Sequence, residues 1–366
     1  MAIIRSYILA FCFIGPTLFA LVDSTSSLTE VFLLTTVFLT LFSMLHKLNQ
    51  KKGLLGISIV LFFFIAIFLS SAVSGYAIED YYIFTPIIPS ILYGFFFKID
   101  ELEKISHSLI KGGPLIILFL LPLSLSVTDE TYYSMGEYGY YSLGVLGSFA
   151  GVLSLLRFSN SIKPQKVAFF MYLVFFVVTL ISAHRTSILN LILCSSYIMI
   201  NRFGLFRLSL AILLMVSFSS IVVISQLVNV DLVFSRVSGI DATDFDDYSS
   251  GRGGIWADAF SNFTSSNLLN LNPVQAYFEA GGMHSIMLDL ILGFGILGFL
   301  IGMWFYRGVF SIQRRCNALG VLILFGAFNI TLTGWYIIAT EFWLIFGILI
   351  CSNLSRIKQL RNVINA

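Results

Sequence analysis

Charge is scarce in this sequence. Asp, Glu, Lys and Arg together make up 11% of its 366 residues, where a soluble domain usually carries about 25%. Hydrophobic residues make up 58% and the mean hydropathy is +0.93. A water-soluble fold of this length has no way to hide that much apolar surface, so lipid must be its solvent. Cysteine is also rare. Cys12, Cys194, Cys316 and Cys351 form no CxxC pair, and none lies in a segment read below as an outer loop. That excludes a disulfide framework and a cysteine-based metal pair. The sequence has no internal repeat or low-complexity tract, and its halves lack the matched broken segments of an inverted-repeat transporter.

What is present is a succession of apolar runs. Runs of about 17–25 residues reach across a bilayer as helices, and in lipid a helix is how a lone segment satisfies its own backbone. Twelve are readable, near 3–22, 28–45, 54–73, 83–97, 114–127, 141–157, 167–183, 186–200, 208–225, 284–306, 317–334 and 337–354. The expected fold is all-α: a polytopic integral membrane protein with about 12 transmembrane helices in a single transmembrane domain, 1–366. The first run, MAIIRSYILAFCFIGPTLFALV, exceeds a signal-peptide core and is followed by no convincing cleavage site, so it reads as an uncleaved span.

The connecting segments fall into two sets. One holds HKLNQKKG, FKIDELEKISHSLIKGG, RFSNSIKPQK, NRFGLFR, YRGVFSIQRRC and SRIKQLRN; with Arg5 it carries 18 of the 21 Lys and Arg residues. The other holds DSTSSLTE, SGYAIEDYY, TDETYYSMGEYGYY, AHRTS and a long loop at 226–283 between spans nine and ten. Basic residues stay on the cytoplasmic side, so both termini are expected inside and the long loop outside. The net charge of +2 thus reflects topology, and nucleic acid is not an expected partner.

The outer side lacks lysine altogether. Its three basic residues are Arg185, Arg236 and Arg252, and a random leak would have exported lysines too. Arginine is the side chain that grips phosphate through a planar, bidentate fork and keeps its charge. The outer face therefore reads as built to hold an anion.

Three stretches carry that reading. In SAHRTSILNLIL, Arg185 sits at an outer span end, as an interfacial anchor or as an anion contact. In SSGRGGIWADAF, Ser249, Ser250 and Gly251 fit the cap of a short helix with Arg252 in its first turn and Trp256 one turn on. A helix start favours phosphate; the alternative is a surface arginine paired with Asp258 or the acidic run DATDFDDYSS. A second short helix fits PVQAYFEA, opened by Pro273 and closed by Gly281–Gly282. In GGMHSIMLDLILGFGILGF, His284 opens a span. A neutral imidazole beside cationic groups suits a general base, and an interfacial histidine is the plain alternative. Gly298 and Gly302 read as helix packing.

Taken together, Ser182–Ile188 (SAHRTSI), Gly251–Trp256 (GRGGIW) and His284–Phe299 (HSIMLDLILGFGILGF) resemble the O-antigen polymerase and O-antigen ligase family over roughly 170–306. The chain departs from that pattern at Ser285, where asparagine is frequent, and at His184–Arg185, where Ser-Arg is usual. The resemblance implies a GT-C-like membrane glycosyltransferase without metal or other cofactor, acting on undecaprenyl-diphosphate-linked glycans. It implies Arg185 and Arg252 on the diphosphate and His284 as general base, at the periplasmic face of a bacterial inner membrane. The polymerase, which extends another lipid-linked repeat unit, is the leading expectation, and the ligase, with lipid A core as acceptor, is the alternative. Membrane lipids, a chain-length regulator and a flippase are the expected partners.

The chemistry agrees with that implication. A diphosphate leaving group gains charge as the C–O bond breaks, and fixed guanidinium groups stabilise it. Metal-using glycosyltransferases place paired carboxylates there, but the first outer loop has only Asp23 and Glu30, with no DxD or ExD. Asp244, Asp246 and Asp247 read as a solvated acidic run. Tyr132, Tyr133, Tyr138, Tyr140 and Tyr141 crowd one outer loop, where an interfacial belt is favoured over sugar stacking. Arg236, Trp256, Tyr132, Trp335 and Glu341 rank second as substrate contacts. A transporter, the remaining reading, needs ionisable groups at mid-membrane, and the span centres hold almost none.

Overall fold

The computed structural model describes residues 2–20, 87–124, 126–127, 133–134, 139–160, 165–182, 184–204, 285–314, 317–332 and 339–364, with 35, 39–40 and 58. The spans expected near 28–45 and 54–73 are described only at those single positions, and the span near 208–225 and the loop 226–283 lie outside. The described elements are α1 (Ala2–Ala20), α2 (Ile87–Phe96), α3 (Ile99–Ser124), β1 (Ser126–Val127), β2 (Tyr133–Ser134), α4 (Gly139–Asn160), α5 (Lys166–Ile181), α6 (Arg185–Phe203), α7 (Ile286–Gln313), α8 (Ala318–Leu332) and α9 (Thr340–Ile364). β1 and β2 pair antiparallel, Ser126 with Ser134 and Val127 with Tyr133; the other described elements are helices. α1 departs from helical geometry at Ile14 (φ −135°, ψ 20°), two residues before Pro16, which has no N–H to continue the ladder.

Among the described residues, two helices are long and apolar enough to cross a membrane, through Leu143–Asn160 and Phe294–Gln313. They differ in surroundings. The first is 83% buried and the second 33%, with Ile296, Leu297, Phe299, Leu300, Met303 and Phe310 all exposed. A core helix of a soluble protein is covered; an exposed apolar helix surface of this kind marks contact with a membrane or with another protein.

One difference from the sequence expectation concerns α3. The basic segment FKIDELEKISHSLIKGG reads as a loop, yet helix begins at Ile99. Glu101 turns back to accept the Lys98 N–H at 3.0 Å, a capping-box contact, and Leu102, Ile105, Leu109 and Ile110 are buried along one face.

The chain divides into two units. The first holds α1 up to Phe13, α2, α3 up to Ile105, α7, α8 and α9. Here α2 and α9 cross backbone to backbone. A Cβ on Gly94 would collide with the Leu344 carbonyl oxygen, and one on Gly347 would lie 2.5 Å from the Ile91 carbonyl oxygen. Such small-residue crossings hold helices together where lipid offers no hydrophobic drive. Gly94→Ala should force the two helices apart and cost about 1–3 kcal/mol, read as a lower melting temperature of the detergent-solubilised protein.

Aromatic pairs join α7 to α9: Phe305 to Phe342 at 5.0 Å and Trp304 to Phe346 at 5.5 Å. These helices run the same way, with α8 antiparallel between them, as Tyr306 to Thr331 (2.6 Å) and Asn329 to Glu341 (2.8 Å) require. α7 itself folds back. Gly295 has φ 58° and ψ −133°, a conformation open to glycine. Beyond it Gly298 abuts the Leu290 backbone and Gly302 abuts Met287. In a straight helix Met287 and Gly302 would be about 22 Å apart, so the arm 286–294 lies back along the start of the arm 296–313.

At the N-terminus of α8, Glu103 Oε1 accepts the Ala318 N–H at 3.0 Å and Oε2 the Leu319 N–H at 2.8 Å. A carboxylate there meets both the unsatisfied donors and the helix dipole. Glu103→Ala should destabilise the protein by about 1–3 kcal/mol in thermal unfolding. Glu103→Gln, which keeps one acceptor oxygen, should lose less.

The second unit holds α1 from Ile14, α3 from Ser106, the β pair, α4, α5 and α6. α4 presents Gly144, Gly147 and Gly151 to its neighbours. A Cβ on Gly147 would lie 2.8 Å from Thr179 Oγ1, and one on Gly151 3.0 Å from Leu191. Consecutive helices run antiparallel, with Phe158 against Phe169 (5.2 Å) near one end and Gly144 against Ser182 near the other.

Polar contacts within each unit join segments that charge sorting assigns to one face. In the first, Tyr93 donates to the Arg5 carbonyl at 2.8 Å and the Arg5 guanidinium lies 5.2 Å from the Phe97 ring. In the second, Arg157 donates to Gln165 Oε1 and to the Lys111 carbonyl, both at 2.8 Å, and Arg202 to the Ser159 carbonyl at 2.9 Å.

Candidate functional site

Of the site residues read from the sequence, the structure describes Arg185 and Glu341. His284, Arg252, Arg236, Trp256, Tyr132 and Trp335 lie outside the described residues. Arg185 stands in a tight turn between α5 and α6. α5 ends at Ile181; Ser182 is its C-cap, and the Ser182 N–H still reaches the Val178 carbonyl at 3.1 Å. His184, in extended conformation (φ −84°, ψ 98°), is the N-cap of α6, and Arg185 is the first helical residue.

The turn is held by side chains. Ser182 Oγ donates to the Thr179 carbonyl at 2.7 Å and accepts the His184 N–H at 3.3 Å. His184 Nδ1 is 2.7 Å from Ser187 Oγ, with either atom able to supply the proton. From below, α4 offers Gly144: a Cβ there would lie 2.8 Å from both His184 Cβ and Ser182 Oγ, and 3.1 Å from Ser187 Oγ. Ser182, His184, Thr186, Ser187 and Ile188 are all buried. Arg185 alone, among the described residues from 182 to 188, keeps partial solvent access. A cation thus stands at the start of a 19-residue helix, where N–H groups and the dipole also favour negative charge.

The polar lining continues below the turn. Asn190 is fully buried with Cys194 Sγ 3.4 Å from its Oδ1, and Tyr172 donates to Ser195 Oγ at 3.0 Å. The first contact lies within α6, and the second joins α5 to α6.

Glu341 occupies a different environment, in the first turn of α9 and 5% exposed. Its Oε1 accepts from Asn329 Nδ2 at 2.8 Å and its Oε2 from Thr340 Oγ1 at 3.3 Å, while its Cβ fits against Gly326. The Asn329 bond ties α8 to α9. Sequence reasoning passed over Asp289, a buried carboxylate in the first turn of α7; its signal was a charge five residues after His284. Reasoning from charge also passed over Ser187 and Gly144, which are neutral and small.

Among the described residues no group of three or more His, Cys, Asp or Glu side chains is gathered so as to hold a metal ion. No protein-family model matches this chain, and neither does any curated protein or solved structure.

Proposed function

We propose that this chain is an inverting, metal-independent membrane glycosyltransferase of the O-antigen polymerase type. Its donor is an undecaprenyl-diphosphate-linked glycan, and its acceptor is the terminal sugar of another lipid-linked repeat unit. In this reading about twelve spans form a GT-C-like domain in a bacterial inner membrane, with the chemistry at the periplasmic face. His284 takes the proton from the acceptor hydroxyl, whose oxygen attacks the anomeric carbon. The bond from that carbon to the diphosphate breaks, and undecaprenyl diphosphate leaves with its charge held by Arg185 and Arg252. Arg236, Trp256, Tyr132 and Trp335 are second-rank contacts to the sugars; the engaged carboxylate of Glu341 favours a bracing part in the same machinery.

The observation that carries this reading is the partly accessible Arg185 at the first turn of α6, in a segment that charge sorting in the sequence assigns to the face without lysine. The three short motifs and their order support it, as does the open apolar face of α7.

The test uses purified full-length protein in nanodiscs with a lipid-diphosphate-linked repeat unit as sole substrate. The reading expects longer lipid-linked chains and released undecaprenyl diphosphate in the presence of EDTA. Product formed only when lipid A core is added would make the chain a ligase. No glycan transfer with either acceptor, from protein that inserts normally, would contradict the proposal.

A further inference from the structure

The turn that carries Arg185 is stiffer than a simple connection between two helices needs to be. Three features fix it. Ser182 Oγ bridges the Thr179 carbonyl and the His184 N–H. His184 Nδ1 and Ser187 Oγ, three residues apart, pair at 2.7 Å across the start of α6. Gly144 lets α4 approach so closely that a single methyl group would sit 2.8 Å from His184 Cβ. The His184–Ser187 contact is side chain to side chain, and the His184 side chain makes no capping bond to the α6 backbone. Its effect is to lock the residues on either side of position 185.

A histidine bonded to a serine also invites a nucleophilic reading, in which the imidazole activates the hydroxyl. Burial argues against that. Ser187 is 1% exposed, so no substrate reaches its oxygen, whereas Arg185 keeps access.

We propose that Ser187 and His184 are positioning residues that set the direction of the Arg185 side chain toward a phosphate-bearing ligand. The inference rests on the reading of Arg185 as a diphosphate-binding residue. A guanidinium fork binds phosphate bidentately only within a narrow range of orientation. A long, flexible side chain on a loose turn would lose much of that advantage to its own rotamer freedom. Pinning the start of α6 through the 184 and 187 side chains fixes where the Arg185 Cα–Cβ bond points before the ligand arrives, which raises affinity by preorganisation.

The experiment is a double-mutant cycle on the full-length protein in nanodiscs, with undecaprenyl diphosphate as the binding probe. Ser187→Ala should weaken probe binding about threefold to tenfold, with Arg185→Ala weakening it more. In the Arg185→Ala background, Ser187→Ala should have no further effect, because the guanidinium it aims is gone. His184→Asn, a residue that still suits an N-cap, is the second variant and should follow the same pattern should Ser187→Ala fail to fold. Equal weakening by Ser187→Ala in both backgrounds, or none in either, overturns the inference alone. Wild-type binding by Arg185→Ala overturns the diphosphate reading, and the inference falls with it.

Discussion

His284→Ala should abolish glycan transfer while the protein still inserts and still binds undecaprenyl diphosphate. A positioned general base contributes about 10²–10⁴-fold to a rate, and alanine offers no group to take the acceptor proton. The donor side is unaffected in this account, because the diphosphate is held by arginines. The split is therefore specific: transfer falls by at least about 10²-fold and probe affinity stays near wild type. The measurement is chain extension from a lipid-linked repeat unit, run beside probe binding on the same preparation. Transfer at the wild-type rate would remove the general-base assignment from His284.

Arg185→Lys should be severely impaired although it keeps the positive charge. A lysine ammonium is a compact, strongly hydrated point charge, and it cannot reproduce two parallel N–H bonds to phosphate oxygens. Loss of one preorganised donor to a developing anion costs about 10²–10³-fold in turnover, so Arg185→Ala should fall in that range. Arg185→Lys should recover only a small part of the difference. The loss belongs mainly to turnover, since charge builds on the diphosphate as the glycosidic bond breaks, with a smaller rise in the KM for donor. Equal activity of the lysine variant and wild type would reduce Arg185 to a general cation at the membrane surface.

Hydropathy located many helices well because an apolar run reports the part of a helix that meets apolar surroundings. The runs near 141–157, 167–183, 186–200 and 317–334 correspond to α4 (Gly139–Asn160), α5 (Lys166–Ile181), α6 (Arg185–Phe203) and α8 (Ala318–Leu332) within a few residues. The same measure missed the first half of α3, where Asp100, Glu101, Glu103 and Lys104 lower the average although Leu102, Ile105, Leu109 and Ile110 keep a helical spacing. It also ended the last span near 354, whereas α9 continues to Ile364 through a basic, amphipathic stretch. The reversal at Gly295 had no local mark apart from that glycine, which the sequence reading did not single out; it took Gly298 and Gly302 as packing residues, and both abut the other arm of the same helix.

Within the candidate site, the legible part was charge. Arg185 stood out because charge sorting left it on the wrong side. Ser187, Ser182 and Gly144 did not, because a neutral hydroxyl or a missing side chain acquires meaning only once α4 is known to lie beneath the turn. Glu341 was visible as a charge near a span end, but its bond to Asn329 depends on how α8 and α9 pack. Asp289 was equally visible as a residue, and its burial in the first turn of α7 was not.

The most direct test of the central claim is a cryo-EM map of the full-length protein with bound undecaprenyl diphosphate. The account predicts the diphosphate within bidentate hydrogen-bonding reach of the Arg185 guanidinium, with Arg252 on the same phosphates and the His284 imidazole beside the donor sugar position. Diphosphate density remote from Arg185, or Arg185 and Arg252 opening onto unconnected spaces, would contradict it.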